Sequence, residues 1–187
     1  MQTIEDVYTK LLPLIGKEYI VPITKNKGRV GTLLEEMLGI PHTPNCLDCS
    51  DGELKTFPVK KLKNGKLTPK ETVAVTMLSK DDLCKHDFKS SKCFEKMSRV
   101  LFVPYYRDGD TIRFMTPKII YKCTEFDELY TTLESDYEAI RANYIKNGIL
   151  QSKLGTLLQT RTKGAGHGST SRAFYLRTEF MRKCISL

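Results

Sequence analysis

Apolar residues recur at helical spacing early in the chain. One face of the segment 29–38 carries five of them, at the i, i+3, i+4, i+7 and i+8 positions: Val30, Leu33, Leu34, Met37 and Leu38. Gly39 follows directly and is a typical helix stop. An earlier helix is predicted over residues 3–15, with Thr3 as its N-cap. The chain therefore begins with two predicted helices.

Alternation of apolar and polar residues predicts strands after the second helix. Residues 52–58 alternate in this way, and residues 71–78 do so again. Between them, residues 60–70 form a polar turn centred on Asn64 and Gly65, a dipeptide that strongly favours a β-hairpin. We therefore expect a hairpin in this part of the chain.

The second half of the chain contains one long amphipathic helix and several more strands. The helix is predicted over roughly 125–147, and a last short helix begins after Thr178. Residues 80–96 are polar and are expected to be irregular. Strands are predicted at 99–106, 111–115, 154–160 and 172–177. Together these elements predict an α/β fold with a mixed β-sheet flanked by helices.

The size and charge of the chain narrow its class. With 187 residues, of which 40% are hydrophobic, residues 1–187 should form a single domain, either one body or two lobes around a DNA cleft. The net charge of +8 favours a polyanionic partner, nucleic acid ahead of an anionic membrane. No run of about 18 apolar residues is present, so no membrane span is expected. The N-terminus lacks a cleavable apolar signal, which favours a cytoplasmic protein.

The cysteines allow two interpretations. A cytosolic domain with a full core does not need disulfides, so free thiols are the expected state. Cys46 and Cys49 have the spacing of half a zinc site, and Cys84, His86 and Cys93 could supply two further ligands. This zinc alternative is weaker, because the spacing is loose and Cys84 with His86 makes an awkward pair.

Four charged residues suggest phosphodiester hydrolysis. Glu35 lies on the second predicted helix, Asp48 in the following loop, and Glu53 and Lys55 on one face of the next strand. The three carboxylates offer the hard oxygen ligands that Mg²⁺ prefers. A bound Mg²⁺ can activate water and stabilise the leaving oxygen, and Lys55 can contact the attacking water or the scissile phosphate. The residues therefore indicate a nuclease.

Each of these residues also has a purely structural interpretation. Glu-x-Lys pairs are common by chance on solvated strand faces, and Glu35 alone is more often a surface residue of a helix. What favours the active site is the order of the groups along the chain: the helix glutamate, then the aspartate, then Glu-x-Lys.

These motifs resemble one family. The segment KGRVGTLLEEMLG, followed by LDCSDGELKTFPVKKLKNGK, is similar to the MutH mismatch-repair nickase and to the Sau-type restriction enzymes that cut at GATC. The similarity extends to RVLFVPYY, the long helix, LLQTRTKGA and SRAFYLRTEF. It implies a restriction-endonuclease-like core and a Mg²⁺-dependent, sequence-specific DNA endonuclease. The KKLKNGK segment resembles the restriction branch more than the repair branch.

The resemblance also implies roles for individual residues. The positions that match catalytic residues of the family are Glu35, Asp48, Glu53, Lys55 and Lys96, with Asp48, Glu53 and Glu35 as metal ligands. The positions implied to contact DNA, or to sense its methylation, are Lys27, Gly28, Arg161, Lys163 and Tyr175. Arg172 belongs to the same late group of basic residues and is expected to bind DNA as well.

The sequence departs from the family in two places. The gap between Asp48 and Glu53 is two residues shorter than usual, and Asp51 lies inside it, so either aspartate could bind the metal. Asp48 is favoured, because Asp51 would lie almost on the strand beside Glu53. The restriction enzymes also carry a second, degenerate copy of the domain, and this chain has one copy.

Three functional hypotheses follow. The first is a type II restriction endonuclease of the Sau type, whose partner is double-stranded DNA. Because a double-strand cut at a palindrome needs two copies or two visits, dimerisation on palindromic DNA is one option under this hypothesis. The second is a strand-nicking repair enzyme with a MutL-like partner. The third is a non-catalytic DNA-binding effector domain, and the presence of the carboxylates argues against it.

Five lysines cluster around the predicted hairpin turn: Lys60, Lys61, Lys63, Lys66 and Lys70. They either line a groove that binds phosphate or simply keep an exposed turn solvated, and the sequence supports both interpretations equally.

Overall fold

The computed structural model of the chain describes residues 1–26, 28–41, 46–163 and 170–184. Its helices are α1 (Ile4–Leu11), α2 (Arg29–Leu38), α3 (Lys80–Lys85), α4 (Lys92–Met97), α5 (Asp127–Asn147) and α6 (Thr178–Cys184). Its first five strands are β1 (Glu18–Ile20), β2 (Glu53–Lys61), β3 (Leu67–Pro69), β4 (Val73–Met77) and β5 (Arg99–Asp108). The later strands are β6 (Thr111–Phe114), β7 (Lys118–Tyr121), β8 (Leu158–Thr162) and β9 (Arg172–Leu176).

The chain divides into two compact units. The first consists of residues 1–71 and 99–120, and the second of residues 72–98 and 121–186. Each unit has its own sheet, six strands in the first and three in the second. The predicted α/β class with a mixed sheet is confirmed, because β2 and β5 run parallel while β3 and β6 pair with them antiparallel.

The sheet of the first unit has the order β1-β6-β5-β2-β3, with β7 also paired to β5. Its central pair aligns Glu53 with Val100 and Val59 with Tyr106. Strand β5 is buried almost throughout, as expected of a central strand, and α1 and α2 contribute Leu11 and Leu34 to the same apolar core. The start of β2, which carries Glu53, is therefore held by the most buried part of this unit.

Helix α2 has the bounds that its apolar pattern predicts. It buries Val30, Leu34 and Leu38 and ends at Gly39, whose φ of 66° is left-handed. The N–H of Gly39 donates to the last turn of the helix, as in a common C-cap. Helix α1 is shorter than the predicted 3–15. It ends at Leu11, and residues Leu12–Leu14, which include Pro13, form one turn of 3₁₀ helix.

The second unit packs α5 against the antiparallel sheet β4-β9-β8. Tyr137 of α5 stacks on Phe174 of β9, with ring centroids 5.3 Å apart, and Tyr137 is fully buried. Asp136, its neighbour on α5, is also buried and accepts the backbone N–H groups of Thr156, Leu157 and Leu158 at 2.6–2.8 Å. These bonds fix the chain just before β8.

Several local predictions were wrong. Residues 80–96 are not irregular but contain α3 and α4, whose N-caps Ser79 and Ser91 accept hydrogen bonds from Asp82 N and Phe94 N. The strand predicted at 154–160 begins only at Leu158, because the residues before it are held by Asp136. Strands β1 and β7 were not predicted, since three or four residues are too few for a visible alternation.

Among the helices of the described residues, none is both long enough and apolar enough to cross a bilayer.

Candidate active site and DNA-contacting residues

Asp48 and Glu53 lie side by side where a tight loop enters β2. The N–H of Asp48 donates to Glu53 Oε2 at 3.3 Å, and Asp48 Oδ2 accepts the N–H of Leu54 at 3.1 Å. Between them, the N–H of Cys49 donates to the carbonyl of Gly52 at 2.9 Å and closes the turn. The loop therefore brings two carboxylates to the amino-terminal end of one central strand.

Lys55 completes this group. Its Nζ donates to Glu53 Oε1 at 2.7 Å, as expected of residues i and i+2 on one face of a strand. The Glu53 side chain is 2% exposed and that of Lys55 is 17% exposed, while Asp48 is half-buried. A buried carboxylate needs such a cationic partner, because an uncompensated charge in this position would cost several kcal/mol. Asp48 and Lys55 are thus the partly exposed members of the group.

Asp51, the alternative metal ligand, makes structural contacts elsewhere. Its Oδ1 accepts the N–H of Ile4 at 2.8 Å and its Oδ2 accepts Nη1 of Arg99 at 3.0 Å. Arg99 also pairs with Glu5 in the first turn of α1. Asp51 thus joins the start of α1 to the start of β5, where its charge also favours the helix N-terminus. This geometry supports Asp48 rather than Asp51 as the residue beside Glu53.

Gly52 allows the close approach of these segments. A Cβ at this position would lie 2.6 Å from the carbonyl oxygen of Arg99 and 2.7 Å from Cγ1 of Ile4. Any side chain would therefore push the loop away from α1 and β5. The sequence predicted no structural role for Gly52, and it offered Asp51 only as an alternative metal ligand, because the contacts of both residues join distant parts of the chain.

Glu35 lies on α2 and is half-buried. The same helix approaches β2 closely, since a Cβ on Gly31 would lie 3.3 Å from Oγ1 of Thr56. However, the described residues contain no cluster of three or more His, Cys, Asp or Glu side chains that could hold a metal ion. The structure thus brings together Asp48 and Glu53, and the role of Glu35 as a further metal ligand stays a prediction.

The donor set at this position fits Mg²⁺. This ion usually keeps several waters and is bound through one or two carboxylates together with substrate phosphates, not by a complete cage of protein ligands. Two adjacent carboxylates, one of them half-buried, meet that requirement. Asp48 and Glu53 are the residues that would hold the ion.

The zinc alternative finds little support. Cys49 is fully buried, and burial together with the negative charges of Asp48, Asp51 and Glu53 raises its pKa to about 12. Zinc binds cysteine as the thiolate, so this thiol would have to lose its proton on binding. No set of three or more zinc-type ligands is assembled in the described parts of the chain.

Among the residues expected to contact DNA, Arg161 and Tyr175 are neighbours in the second unit. The Arg161 guanidinium lies 5.9 Å from the centre of the Tyr175 ring, and its Nη1 donates to Oγ1 of Thr72 at 3.0 Å. Arg161 is exposed at the end of β8 and Tyr175 is half-buried on β9. The Tyr175 ring and the Thr72 hydroxyl thus orient the Arg161 guanidinium, which belongs to an exposed residue.

The other predicted DNA-contacting residues belong to both units. Lys163 is exposed just after β8, and Arg172 at the start of β9 donates to Oγ of Ser152 at 3.4 Å. Gly28 is the exposed N-cap of α2 in the first unit, and its N–H donates to Oδ1 of Asn26. Lys27 lies outside the described residues. Lys96, expected near the catalytic group, is half-buried on α4 in the second unit.

Comparison with known proteins identifies the family. The family model of the DNA mismatch repair enzyme MutH matches residues 44–141, the segment that holds Asp48, Glu53 and Lys55. A DNA mismatch repair protein MutH of Shewanella woodyi is 31% identical over 193 aligned residues, which cover 90% of this chain and 80% of that protein. The chain belongs to the MutH family.

A second relative belongs to the restriction branch. The type II restriction enzyme Sau3AI of Staphylococcus aureus is 26% identical over 192 aligned residues, which cover 98% of this chain. The chain spans only 38% of the length of that enzyme. MutH-family membership confirms the restriction-endonuclease-like α/β fold and the assignment of the chain as a DNA endonuclease, a deoxyribonuclease that hydrolyses phosphodiester bonds. Its substrate is DNA.

Proposed function

We propose that this MutH-family member is a Mg²⁺-dependent endonuclease that cuts double-stranded DNA at GATC-type sites, in the manner of a Sau-type type II restriction enzyme. The observation that carries the catalytic part is the contact between Asp48, Glu53 and Lys55 at the start of β2. The alignment of 98% of the chain with Sau3AI supports the specificity.

In this proposal each residue has a separate task. Asp48 and Glu53 hold the cation, which when bound supplies a polarised water and compensates the charge on the leaving oxygen. Lys55 balances the buried charge of Glu53 and presents its ammonium group to the scissile phosphate. Glu35 assists from α2, and Lys96 acts near the same centre. Arg161, Lys163, Arg172 and Tyr175, with Lys27 and Gly28, bind the duplex.

The guanidinium of Arg161 suits the recognition of guanine. An arginine can donate two parallel hydrogen bonds to O6 and N7 of guanine in the major groove, and GATC begins with that base. The Tyr175 ring beside it limits the conformations of the arginine and offers an apolar surface for an adenine methyl group. Rates on unmethylated, hemimethylated and fully methylated duplexes, measured side by side, would show whether methylation is sensed.

A second candidate function is strand-specific nicking in mismatch repair. The observation that favours it is the match to MutH of Shewanella woodyi, which is closer in identity and extends over 80% of that protein. One active site breaks one strand, so a double-strand cut at a palindrome requires two copies or two successive visits. Dimerisation on DNA therefore belongs to the restriction proposal, and a MutL-like partner belongs to the repair alternative.

A supercoiled plasmid with one GATC site separates the two functions. The restriction proposal predicts linear product that requires Mg²⁺ and is absent with EDTA. Nicked circles that persist after long incubation, and that become frequent only when a MutL-like protein is added, would instead support the repair enzyme. A matched plasmid without GATC is the control, and equal cutting of both plasmids would remove the proposed specificity.

A further inference from the structure

A pocket of about 660 Å³ lies at the carboxyl ends of the parallel strands β2 and β5, within the first unit. Its walls include the ends of both strands at Val59 and Tyr106 and the beginning of α2 at Arg29. Glu53 and Lys55 are not among its lining residues, because they lie at the opposite end of β2. The pocket is therefore separate from the candidate active site.

The pocket is strongly cationic. It is lined by Arg29, Lys60, Lys61, Lys70 and Arg107, and by one carboxylate, Glu71. Arg107 is already engaged, since its Nη1 donates to the carbonyls of Val21 and Gly109. The three lysines are exposed, and no ion pair joins them to a carboxylate within the described ranges 1–26, 28–41, 46–163 and 170–184. Their charge is thus available to an anion.

The hairpin register explains why these lysines converge. Lys60 pairs with Thr68 across the β2–β3 hairpin, and the N–H of Lys70 donates to the carbonyl of Pro58. Lys70 therefore lies opposite Pro58, two residues before Lys60 on β2, and all three lysines line the pocket. Lys63 and Lys66 belong to the turn and do not line the pocket. The five lysines that form one cluster in sequence thus separate into two groups in space.

The residues that line the pocket indicate which class of ligand it would bind. Several cations with one carboxylate favour a group with more than one negative oxygen, and lysine is a common partner of phosphate. Tyr105 and Tyr106 also line the pocket. Phosphate contacts position a protein on DNA without reading its sequence.

We propose that this pocket binds backbone phosphates of the DNA duplex outside the recognition sequence and so anchors the flanking DNA. The inference rests on the proposed function, because it assumes that the scissile phosphate lies at Glu53. Lys60 follows Glu53 by seven residues on β2, a distance of about 23 Å at the rise of a β-strand. A duplex that runs along the strand places the pocket about seven base pairs from the cut, at ~3.4 Å per base pair.

Two matched double variants test the proposal. Lys60→Ala with Lys61→Ala removes two charges from the pocket, and Lys63→Ala with Lys66→Ala removes two charges from the turn of the same hairpin. Binding is measured without Mg²⁺ on duplexes with three or twelve base pairs on each side of GATC. We expect the pocket variant to bind the long duplex about 10-fold more weakly than the parent. The slope of log affinity against log salt concentration should also become shallower by about one to two.

The other measurements in this series should stay unchanged. The pocket variant should bind the short duplex like the parent and should keep its maximal cleavage rate at saturating DNA, and the turn variant should match the parent on both duplexes. The anchoring role would be overturned if the pocket and turn variants lost DNA affinity equally, or if the pocket variant lost it equally on the long and the short duplex. It would also be overturned if the pocket variant lost no affinity.

Two further outcomes separate the causes of failure. Suppose that the parent protein cuts no DNA but binds the long duplex more tightly than the short one, and that the pocket variant loses this difference. The pocket then binds flanking DNA as proposed, while the proposed nuclease function is wrong. A titration with tripolyphosphate, followed by NMR at the lysines, tests a free polyphosphate as the occupant. Saturation at micromolar concentration, together with no effect of the flanks on binding, would contradict the assignment to DNA.

Discussion

Asp48 and Glu53 are joined by a backbone hydrogen bond, because the N–H of Asp48 donates to Oε2 of Glu53 at 3.3 Å. The carboxylate of Asp48 in turn accepts the N–H of Leu54, the residue after Glu53. The loop and the strand thus hold each other's carboxylates in place. If these carboxylates bind the metal as proposed, this arrangement would hold them in position in advance, which is how an active site avoids the cost of rearrangement.

The first prediction separates Asp48 from Asp51. Asp48→Asn should lower the cleavage rate at least about 100-fold while leaving DNA affinity intact, because a metal ligand contributes several kcal/mol to the transition state. Asp51→Asn should keep most of the rate but lower the free energy of unfolding by about 1–2 kcal/mol, since its contacts to Ile4 and Arg99 are structural and partly exposed. Single-turnover kinetics and urea unfolding measure both. The reverse pattern would assign the metal to Asp51.

The second prediction concerns Arg161. Arg161→Ala should weaken specific DNA binding about 10- to 100-fold and reduce the preference for GATC over a changed first base. Arg182→Ala is the matched control, because Arg182 is an exposed arginine of the same unit that pairs with Glu179. Arg182→Ala should lower the affinity for all DNA sequences equally and only slightly. Competition binding with duplexes changed at one base measures the difference, and equal effects of the two variants would refute a reading role for Arg161.

A third prediction tests how β8 is held. Asp136→Asn should lower the free energy of unfolding by about 3 kcal/mol, because an amide replaces a buried carboxylate that accepts three N–H groups. Glu134→Gln, a change at a partly exposed residue of the same helix that pairs with Lys89, should cost at most about 1 kcal/mol. Gly155→Ala should also be severe, since its φ is 84° and a Cβ would lie 1.8 Å from the carbonyl oxygen of Leu158. Urea unfolding of all three variants measures these effects.

The fourth prediction concerns pH. Burial raises the pKa of the Cys93 thiol, so the folded state keeps this proton when the unfolded chain releases it above about pH 8.5. The unfolded state then binds fewer protons, and the free energy of unfolding should fall as the pH rises through the alkaline range. Urea unfolding at pH 7.5 and at pH 10 should show a smaller fall for Cys93→Ala than for the parent. In the folded parent, the exposed Cys84 should be alkylated at pH 8 while Cys93 is protected.

The parts of the fold that follow local rules were predictable from sequence. Helix α2 has both an apolar face and a glycine at its end, so its bounds were predicted to the residue. The period of two in β2 correctly placed Glu53 and Lys55 on one face, as their 2.7 Å contact shows. In contrast, α3 and α4 each have six residues, which is too few for an apolar period, and only their serine caps mark them.

The parts of the site that depend on distant contacts were not predictable. Asp51 takes its role from Ile4 and Arg99, which are far from it in sequence. The position of Glu35 relative to Asp48 likewise depends on how α2 packs and not on the spacing along the chain, so its role as a third metal ligand stays a prediction. The division of the hairpin lysines into a pocket group and a turn group likewise requires the strand register.

The most direct test of the account is Glu53→Gln, measured for cutting and for DNA binding in the same preparation. The substitution keeps the size of the side chain and removes the charge that Lys55 balances. The account predicts that Mg²⁺-dependent cutting of a GATC plasmid falls by at least about 1,000-fold, by more than 4 kcal/mol in the barrier, while the affinity for the same site changes less than about threefold. A variant that folds, binds DNA and cuts at the parental rate would contradict it.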